Sequence, residues 1–382
     1  MTTWADLVAE RLAAVTRADR WRAPRPFAAA GPRGQLEGRP VVAFASNDYL
    51  GLSVHPAVVA AAGEALARDG AGAGASRLVT GSRPVHHDLE AALAERAGTE
   101  AAAVFPTGYA TNLGVLSTLG TTGTRIFSDE LNHASIIDGC RLARAEVAVY
   151  RHADPDHLGA LLARGDGPAL VVTDTVFSMD GDVAPLAALA GHCRRHRALL
   201  VVDEAHAVLG PTLGPEVTEG VQVVRVGTLS KTLGAQGGYV AASSDVVALV
   251  VNLARSYIFT TALTPADAAA ARAALEVLGS AEGAALVARL RTLVEAVAPG
   301  HSSPIVPVVL GSEERALAAS AALLAEGLFV PAIRPPTVAE GTSRLRVTLS
   351  AAHRDEEVDR LVAALARLDP ARAGASAAAG VP

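Results

Sequence analysis

Lysine is almost absent from this 382-residue chain: of its 33 basic residues all but one are arginine, and the exception is Lys231. Arginine supplies charge, phosphate contacts and solubility equally well, but it does not shed its proton at working pH and cannot form an imine with a carbonyl. A single retained amine therefore points to a Schiff-base lysine. Cysteine is nearly as scarce. Cys140 and Cys193 are too few for a disulfide framework and suit a reducing cytoplasm. No apolar run reaches the length of a membrane span. The N-terminal stretch is amphipathic and carries acidic residues, without the apolar core and cleavage site of a signal peptide. Only 19% of residues are charged, with a net charge of −6 and a pI near 6.0, so nothing draws the chain to nucleic acid as a whole.

Half the residues are hydrophobic, which marks a globular chain with room for two or three domains. Residues 4–18 read as a helix leading into an Arg- and Pro-rich connector, Arg20-Trp21-Arg22-Ala23-Pro24-Arg25-Pro26. The division expected is a helix and connector over 1–40, a large domain over 41–264, a smaller α/β domain over 265–369, and a disordered tail over 370–382.

Between about 85 and 245 short apolar runs alternate with helical stretches. The runs AAAVFP (101–106), RIFSD (125–129), EVAVYR (146–151), ALVVTDTVF (169–177), ALLVVDEAH (198–206), VQVVRVGTL (221–229) and GYVAAS (238–243) are continuous rather than alternating. Strands covered on both faces by helices read this way. In the helix over 186–197, Leu186, Leu189, Ala190 and Cys193 form one apolar stripe. The fold expected is α/β: a mostly parallel, doubly wound sheet, whose ligand lies beyond the carboxyl ends of the strands. There the runs end in Thr107, Asp129, Ser178, Asp203, His206 and Thr228. A helical region over 265–298 opens the second domain. In its strand RLRVTLS the period of two places Leu345, Val347 and Leu349 on one face, and Arg344, Arg346, Thr348 and Ser350 on the other.

These strand ends assemble a chemistry around Lys231. A carboxylate buried at the end of LLVVD, Asp203, needs a positive partner, and a protonated pyridine nitrogen is one. His206 is placed to donate to a phenolic oxygen on such a ring, and His133 to stack on its face. The strand-to-helix turn Pro106-Thr107-Gly108-Tyr109 offers backbone N–H groups at a helix N-terminus, suited to a phosphate. Together these describe a pyridoxal phosphate site.

The motifs NDYLGL (47–52), GASRLVTGS (74–82), SDELNHAS (128–135), VFSMDGD (176–182), DEAH (203–206), TLSKTLG (228–234) and IRPPTV…GTSRLRVT (333–348) resemble those of the α-oxoamine synthases, pyridoxal-phosphate enzymes of fold type I. The resemblance runs in order from about residue 17 to 365. It implies that Lys231 carries the cofactor and moves the α-proton of an amino acid, that Asp203 pairs with the ring nitrogen, and that His206 and Ser178 lie near the phenolic oxygen. It implies that His133 covers the ring, and that Gly108, Tyr109 and Thr228 contact the phosphate. Thr260 or Thr261 would reach the phosphate of a neighbouring subunit, making a homodimer. Arg346, with Arg344 second, would hold the amino-acid carboxylate near Asn47. VFSMDGD and IRPPTV are most like the biotin-pathway member, which implies L-alanine and a pimeloyl thioester as substrates. An N-terminal arginine, Arg22 or its neighbours Arg20 and Arg25, would then meet the distal carboxylate. Another acyl thioester and amino acid, as in sibling enzymes, is the alternative.

The chain departs from the family after DEAH, where AVLGPTLGPEVTEG is shorter and lacks an arginine. A nucleic-acid-dependent ATPase, suggested by DEAH alone, is excluded: Arg225 and Ser230 stand where a phosphate loop needs glycines. His192, Cys193 and His196 lack further ligands at zinc spacing, and no metal is expected. His86 and His87 read as a helix start without partners.

Overall fold

The computed structural model describes residues 2–18 and 20–368; the tail expected over 370–382 lies outside them. The first helix, Trp4–Arg17, is closed at its start by a capping box between Thr3 and Asp6. It is followed by an antiparallel meander of β1 (Phe27–Ala29), β2 (Arg33–Leu36) and β3 (Arg39–Ala43).

The central sheet is built from β4 (Ala101–Phe105), β5 (Arg125–Asp129), β6 (Glu146–Tyr150), β7 (Ala169–Asp174), β8 (Leu199–Asp203), β9 (Val223–Thr228) and β10 (Gly238–Ala242). Their order is β4-β10-β9-β8-β7-β5-β6. The pairs β9–β8, β8–β7, β7–β5 and β5–β6 are parallel, while β10 runs against both of its neighbours. This is the mostly parallel α/β sheet the apolar runs predict. Burial on both faces holds for β7, all six of whose residues are buried. It fails for β6, where Val147 and Val149 are exposed, because β6 is an edge strand with no helix over that face.

The crossover helices are set by ordinary local signals. Asp154 caps Pro155–Leu162 by accepting from His157 N at 2.8 Å. In Leu186–His196 the predicted stripe of Leu186, Leu189, Ala190 and Cys193 is buried. The helical region over 265–298 is two helices, Pro265–Leu278 and Ala281–Val297, divided at Gly279-Ser280, where the Ser280 hydroxyl caps the second by accepting from Gly283 N.

Beyond them lie β11 (Ile305–Gly311), β12 (Leu328–Phe329), β13 (Ala332–Ile333) and β14 (Ser343–Thr348). β11, β14 and β13 form an antiparallel sheet in that order, whereas β12 pairs parallel with β3. Strand pairing thus ties the region beyond residue 264 to the N-terminal meander. Alternation along β14 is as expected, but both of its faces are buried. Leu345 and Val347 join an apolar cluster with Phe44, Leu52, Leu233 and Leu361, and Arg344 and Arg346 turn toward the crevice at the sheet's carboxyl end.

His86 has partners after all. Inside the helix Pro84–Ala97 it is fully buried, Nδ1 accepting from Arg83 N at 2.9 Å and Nε2 bonded to Leu263 O at 2.8 Å. A polar side chain at the start of a helix found both a cap and a neighbouring loop.

Candidate active site

The carboxyl ends of β5, β7, β8 and β9 converge on one crevice, and Lys231 sits in the turn that follows β9. That turn is held by Gly234. Its φ of +63° is open to glycine, and a Cβ there would lie 2.2 Å from Ser53 N, so the lysine loop is pressed onto the backbone of the NDYLGL segment.

Two hydrogen-bonded chains radiate from the crevice. In the first, Lys231 Nζ lies 2.8 Å from His206 Nε2, and His206 Nδ1 lies 2.5 Å from Tyr49 Oη. Tyr49 Oη is 3.2 Å from Asn47 Oδ1, which accepts from Arg346 Nη2 at 3.1 Å. Arg346 also donates from Nε to Ser178 O at 2.6 Å and from Nη1 to Thr348 Oγ1 at 2.9 Å. In the second chain Asp203 Oδ2 accepts from Asn112 Nδ2 at 2.7 Å, and the same amide donates to Ser135 Oγ at 2.9 Å. Ser135 Oγ is 2.7 Å from His133 Nδ1, and His133 N donates to Asp174 Oδ2 at 2.7 Å.

Burial governs the titration of these groups. It holds the Lys231 amine below its ordinary value, opposed by the carboxylates of Asp203 and Asp174 and reinforced by Arg346. It pushes His206 well below the usual imidazole range, with the positive charges of Lys231 and Arg346 adding to the effect. It raises the Tyr49 phenol and, together with the charge of neighbouring Asp203, raises Asp174 well above the carboxylate range. An amine that loses its proton more readily than in water, beside an imidazole disfavoured from charging, is suited to act as nucleophile and base.

The residues present fit pyridoxal phosphate. Asp203 is buried, and its donors are neutral: the Asn112 amide and Ala205 N, the latter at 2.9 Å from Oδ1. A ring N–H⁺ would supply the missing cation. At the start of the helix Gly108–Leu119, Thr107 caps Ala110 N, leaving the Gly108 and Tyr109 N–H groups outside the helical ladder. Gly108 approaches Thr228 so closely that a Cβ would stand 3.2 Å from Thr228 Cβ. Thr228 Oγ1 and Ser230 Oγ, 2.7 Å apart, add hydroxyls beside these amides, a donor set whose chemistry suits a phosphate.

The structure thus brings together Lys231, His206, Asp203, His133, Ser178, Asn47 and Arg346, with Gly108, Tyr109 and Thr228 at the cradle. His133 caps the helix Ala134–Leu142 and remains exposed, and the Tyr109 hydroxyl donates to Asp138 Oδ2 at 2.5 Å. Arg344 is committed elsewhere, paired with Asp180 and donating from Nε to Thr342 O at 2.9 Å. Thr260 and Thr261 lie in the loop before Pro265–Leu278, and among the described residues no hydrogen bond joins them to the Lys231 cluster. Arg25 is taken by Glu37 at 2.7 Å, whereas Arg20 and Arg22 line a hollow of about 270 Å³ with Ile333, Arg334 and Thr337. Ile333 pairs with Arg344 on the strand that carries Arg346. Tyr49, Asn112, Ser135 and Asp174 were not anticipated as site residues. Tyr49, Ser135 and Asp174 lie within segments already singled out, whereas Asn112 carries no signal beyond a polar side chain in a largely buried helix.

A model of the aminotransferase class I and II family matches residues 39–365, and the chain belongs to that family. Within it the resemblance to the α-oxoamine synthases holds. The chain is 52% identical over 362 residues to an 8-amino-7-oxononanoate synthase of Anaeromyxobacter dehalogenans, covering 90% of each. Among solved structures, a serine palmitoyltransferase from S. paucimobilis with a bound PLP–myriocin adduct matches with a TM-score of 0.88 and 31% identity, over 96% of this chain and 97% of that one. An 8-amino-7-oxononanoate synthase from Francisella tularensis matches with a TM-score of 0.71 and 25% identity, over 86% and 97%.

Proposed function

We propose that this chain is a pyridoxal-phosphate-dependent acyltransferase that condenses L-alanine with a pimeloyl thioester, carried on coenzyme A or an acyl carrier, with loss of carbon dioxide, to give 8-amino-7-oxononanoate for biotin synthesis. The observation that carries the reading is the placement of the sole lysine, its amine on His206 Nε2 at the mouth of a crevice that ends in Asp203. Relatives about 50% identical bear that activity in their names.

The cofactor, when bound, supplies an electron sink for charge at the amino acid's α-carbon. The chain's own residues do the rest. The Lys231 amine holds the cofactor and then takes and returns the α-proton. Asp203 meets the ring nitrogen, His133 covers the ring, His206 meets its phenolic oxygen and Ser178 lies nearby. Gly108, Tyr109 and Thr228 receive the phosphate. Arg346, fixed by the Ser178 carbonyl, Thr348 and Asn47, presents its fork to the amino-acid carboxylate. Arg22, beside Arg20 and Arg334, meets the distal carboxylate of the acyl chain. Thr260 and Thr261 reach the phosphate of a second copy, so the working unit is a homodimer in the cytoplasm.

A second reading, another α-oxoamine synthase, is favoured by the TM-score of 0.88 to a serine palmitoyltransferase. One experiment separates them. Purified protein loaded with pyridoxal phosphate should show a visible band that borohydride bleaches and Lys231→Ala lacks. L-alanine, glycine and L-serine are then titrated, pimeloyl and longer acyl thioesters added, and the amino ketone product identified by mass. No band would sink the enzyme reading. A band without turnover of alanine and pimeloyl thioester would sink the first reading and leave the second.

A further inference from the structure

The two arginines of β14 share one face and are both buried, yet their partners differ in kind. Arg346 donates to neutral acceptors: from Nε to the Ser178 carbonyl at 2.6 Å, from Nη1 to Thr348 Oγ1 at 2.9 Å and from Nη2 to Asn47 Oδ1 at 3.1 Å. Among the described residues no carboxylate pairs with it, so its charge is oriented without being neutralised. Arg344 is neutralised. It pairs with Asp180, and its Nε donates to Thr342 O at 2.9 Å.

One hairpin makes the difference. Val176 bridges Val183, Phe177 N donates to Asp182 O at 3.0 Å and Gly181 N donates to Phe177 O at 2.8 Å. The segment 176–183 therefore turns back on itself, with Ser178, Met179 and Asp180 at the tip. These three are only half-buried, so core packing alone does not lock them in place. Two polar rungs hold the tip against β14, Ser178 on Arg346 and Asp180 on Arg344. Gly181 lets the backbone close behind them, since its φ is +70° and a Cβ there would run into the Ile305 carbonyl of β11. Of the two rungs the ion pair is the stronger, because it joins full charges and its guanidinium is only 8% exposed. The base of the hairpin is fixed separately, by Asp182 on His152 at 2.8 Å.

We propose that Asp180 is a positioning residue for amino-acid recognition. By taking Arg344 it pins the hairpin, holds the Ser178 carbonyl on Arg346 Nε and leaves Arg346 the one unneutralised cation of β14. The inference rests on the reading of Arg346 as the group that meets the amino-acid carboxylate, and adds what aims it. A second free guanidinium two residues away, about 7 Å along the strand, would offer that carboxylate a wrong position, and Asp180 removes it.

Asp180→Asn keeps the size of the side chain and removes its charge. Arg344→Gln removes the partner instead and leaves no buried cation unpaired, which guards against a variant that fails to fold. In full-length protein loaded with pyridoxal phosphate, each should raise the KM for L-alanine about fivefold, with kcat and the KM for the acyl thioester within about twofold of native. The double variant should be no worse than either single one, because both break the same rung, and Asp180→Glu should recover part of the loss. Were Arg344 the carboxylate's own partner, Asp180→Asn would free it and lower the KM. That result, or an unchanged KM, overturns the proposal, and so does a fall in kcat with both KM values raised alike. A second readout needs no turnover. In ¹⁵N-arginine-labelled protein without cofactor, the Arg346 Nε–H, identified with an Arg346→Lys spectrum, should exchange slowly with solvent and about tenfold faster in Asp180→Asn. Unchanged exchange in a variant with native circular dichroism overturns the proposal. If the native protein does not turn over alanine, the functional reading fails, and the exchange measurement still decides whether Asp180 holds the Ser178 carbonyl on Arg346.

Discussion

His152 is clamped between two carboxylates, with Nδ1 2.9 Å from Asp129 Oδ1 and Nε2 2.8 Å from Asp182 Oδ2. Its ring meets Phe177 edge-on. The hydrogen bonds to Asp129 and then Asp182 outweigh partial burial and raise the imidazole to about 10, so it is a cation at neutral pH. Asp129 ends β5, whereas Asp182 closes the loop over 175–183 that hands the Ser178 carbonyl to Arg346. Substituting His152→Gln keeps a side chain able to hydrogen-bond and removes the charge. Taken whole, a rise from 6.5 to about 10 bounds the contribution at roughly 5 kcal/mol, at about 1.4 kcal/mol per pH unit. Asp182 is 40% exposed, and Asp129 retains the Leu131 and Ala153 N–H donors at 2.9 and 2.8 Å. Solvent and those donors absorb part of the loss, which leaves an expected cost of about 2–3 kcal/mol. Folding raises this imidazole's pKa, so its stabilisation is complete below about pH 6.5, declines above that and is gone beyond about pH 10. Urea-unfolding midpoints of the native protein and His152→Gln, compared from pH 6 to 10.5, should differ most at the acid end and converge near pH 10. A difference that stays constant across that range would show that His152 acts by packing and would refute the charge argument.

Gly234→Ala forces a side chain into the left-handed region and against Ser53 backbone, which no rotamer relieves. The expected cost is about 2–4 kcal/mol, read as a lowered thermal midpoint together with a weaker visible band, since the same turn carries Lys231. Arg346→Lys keeps the charge but loses the fork. The KM for the amino acid should rise about tenfold or more with the visible band retained, and an unaltered KM would remove Arg346 from carboxylate recognition. Arg22→Ala should raise the KM for a pimeloyl thioester and leave that for a fatty acyl thioester unaffected. Arg25→Ala, which breaks an exposed pair with Glu37 and a contact over the Phe329 ring, should change neither KM.

Much of the fold was legible because a sheet covered on both faces leaves a plain mark on the chain. Every strand of β7 and β8 lies in a continuous apolar run, and each run ends in the polar residue that enters the crevice. β6 carries the same mark yet lies at an edge, since Val147 and Val149 are apolar whether or not a helix covers them. The pairing of β12 with β3 left no mark at all. Two residues of strand, matched to a partner far back in the chain, are specified by packing of the surrounding core rather than by any local pattern. The same limit explains Gly279-Ser280, where a helical composition continues through a break that one capping hydroxyl decides.

The site divides along similar lines. Residues at strand ends declare themselves, because a carboxylate or imidazole after four apolar positions has to be explained. Those that hold them do not. Tyr49 stands 157 positions from His206, and Asn112 stands 91 from Asp203. In the sequence Tyr49 merely follows the polar pair Asn47-Asp48, and Asn112 follows Thr111 in a largely buried helix, so neither declares its partner. Yet these supporting groups determine what the conspicuous ones can do. Asn112 and Ala205 hold Asp203 with neutral donors, which leaves its carboxylate able to meet a cation such as a protonated ring nitrogen. Asp174, in register with Asp203 across β7 and β8, is pushed well above the carboxylate range by burial and by the charge of Asp203. On the other side Tyr49 Oη and Lys231 Nζ meet the two ring nitrogens of His206, at 2.5 and 2.8 Å. The conspicuous lysine identifies the chemistry; the inconspicuous phenol and amide hold the imidazole and the carboxylate that face it.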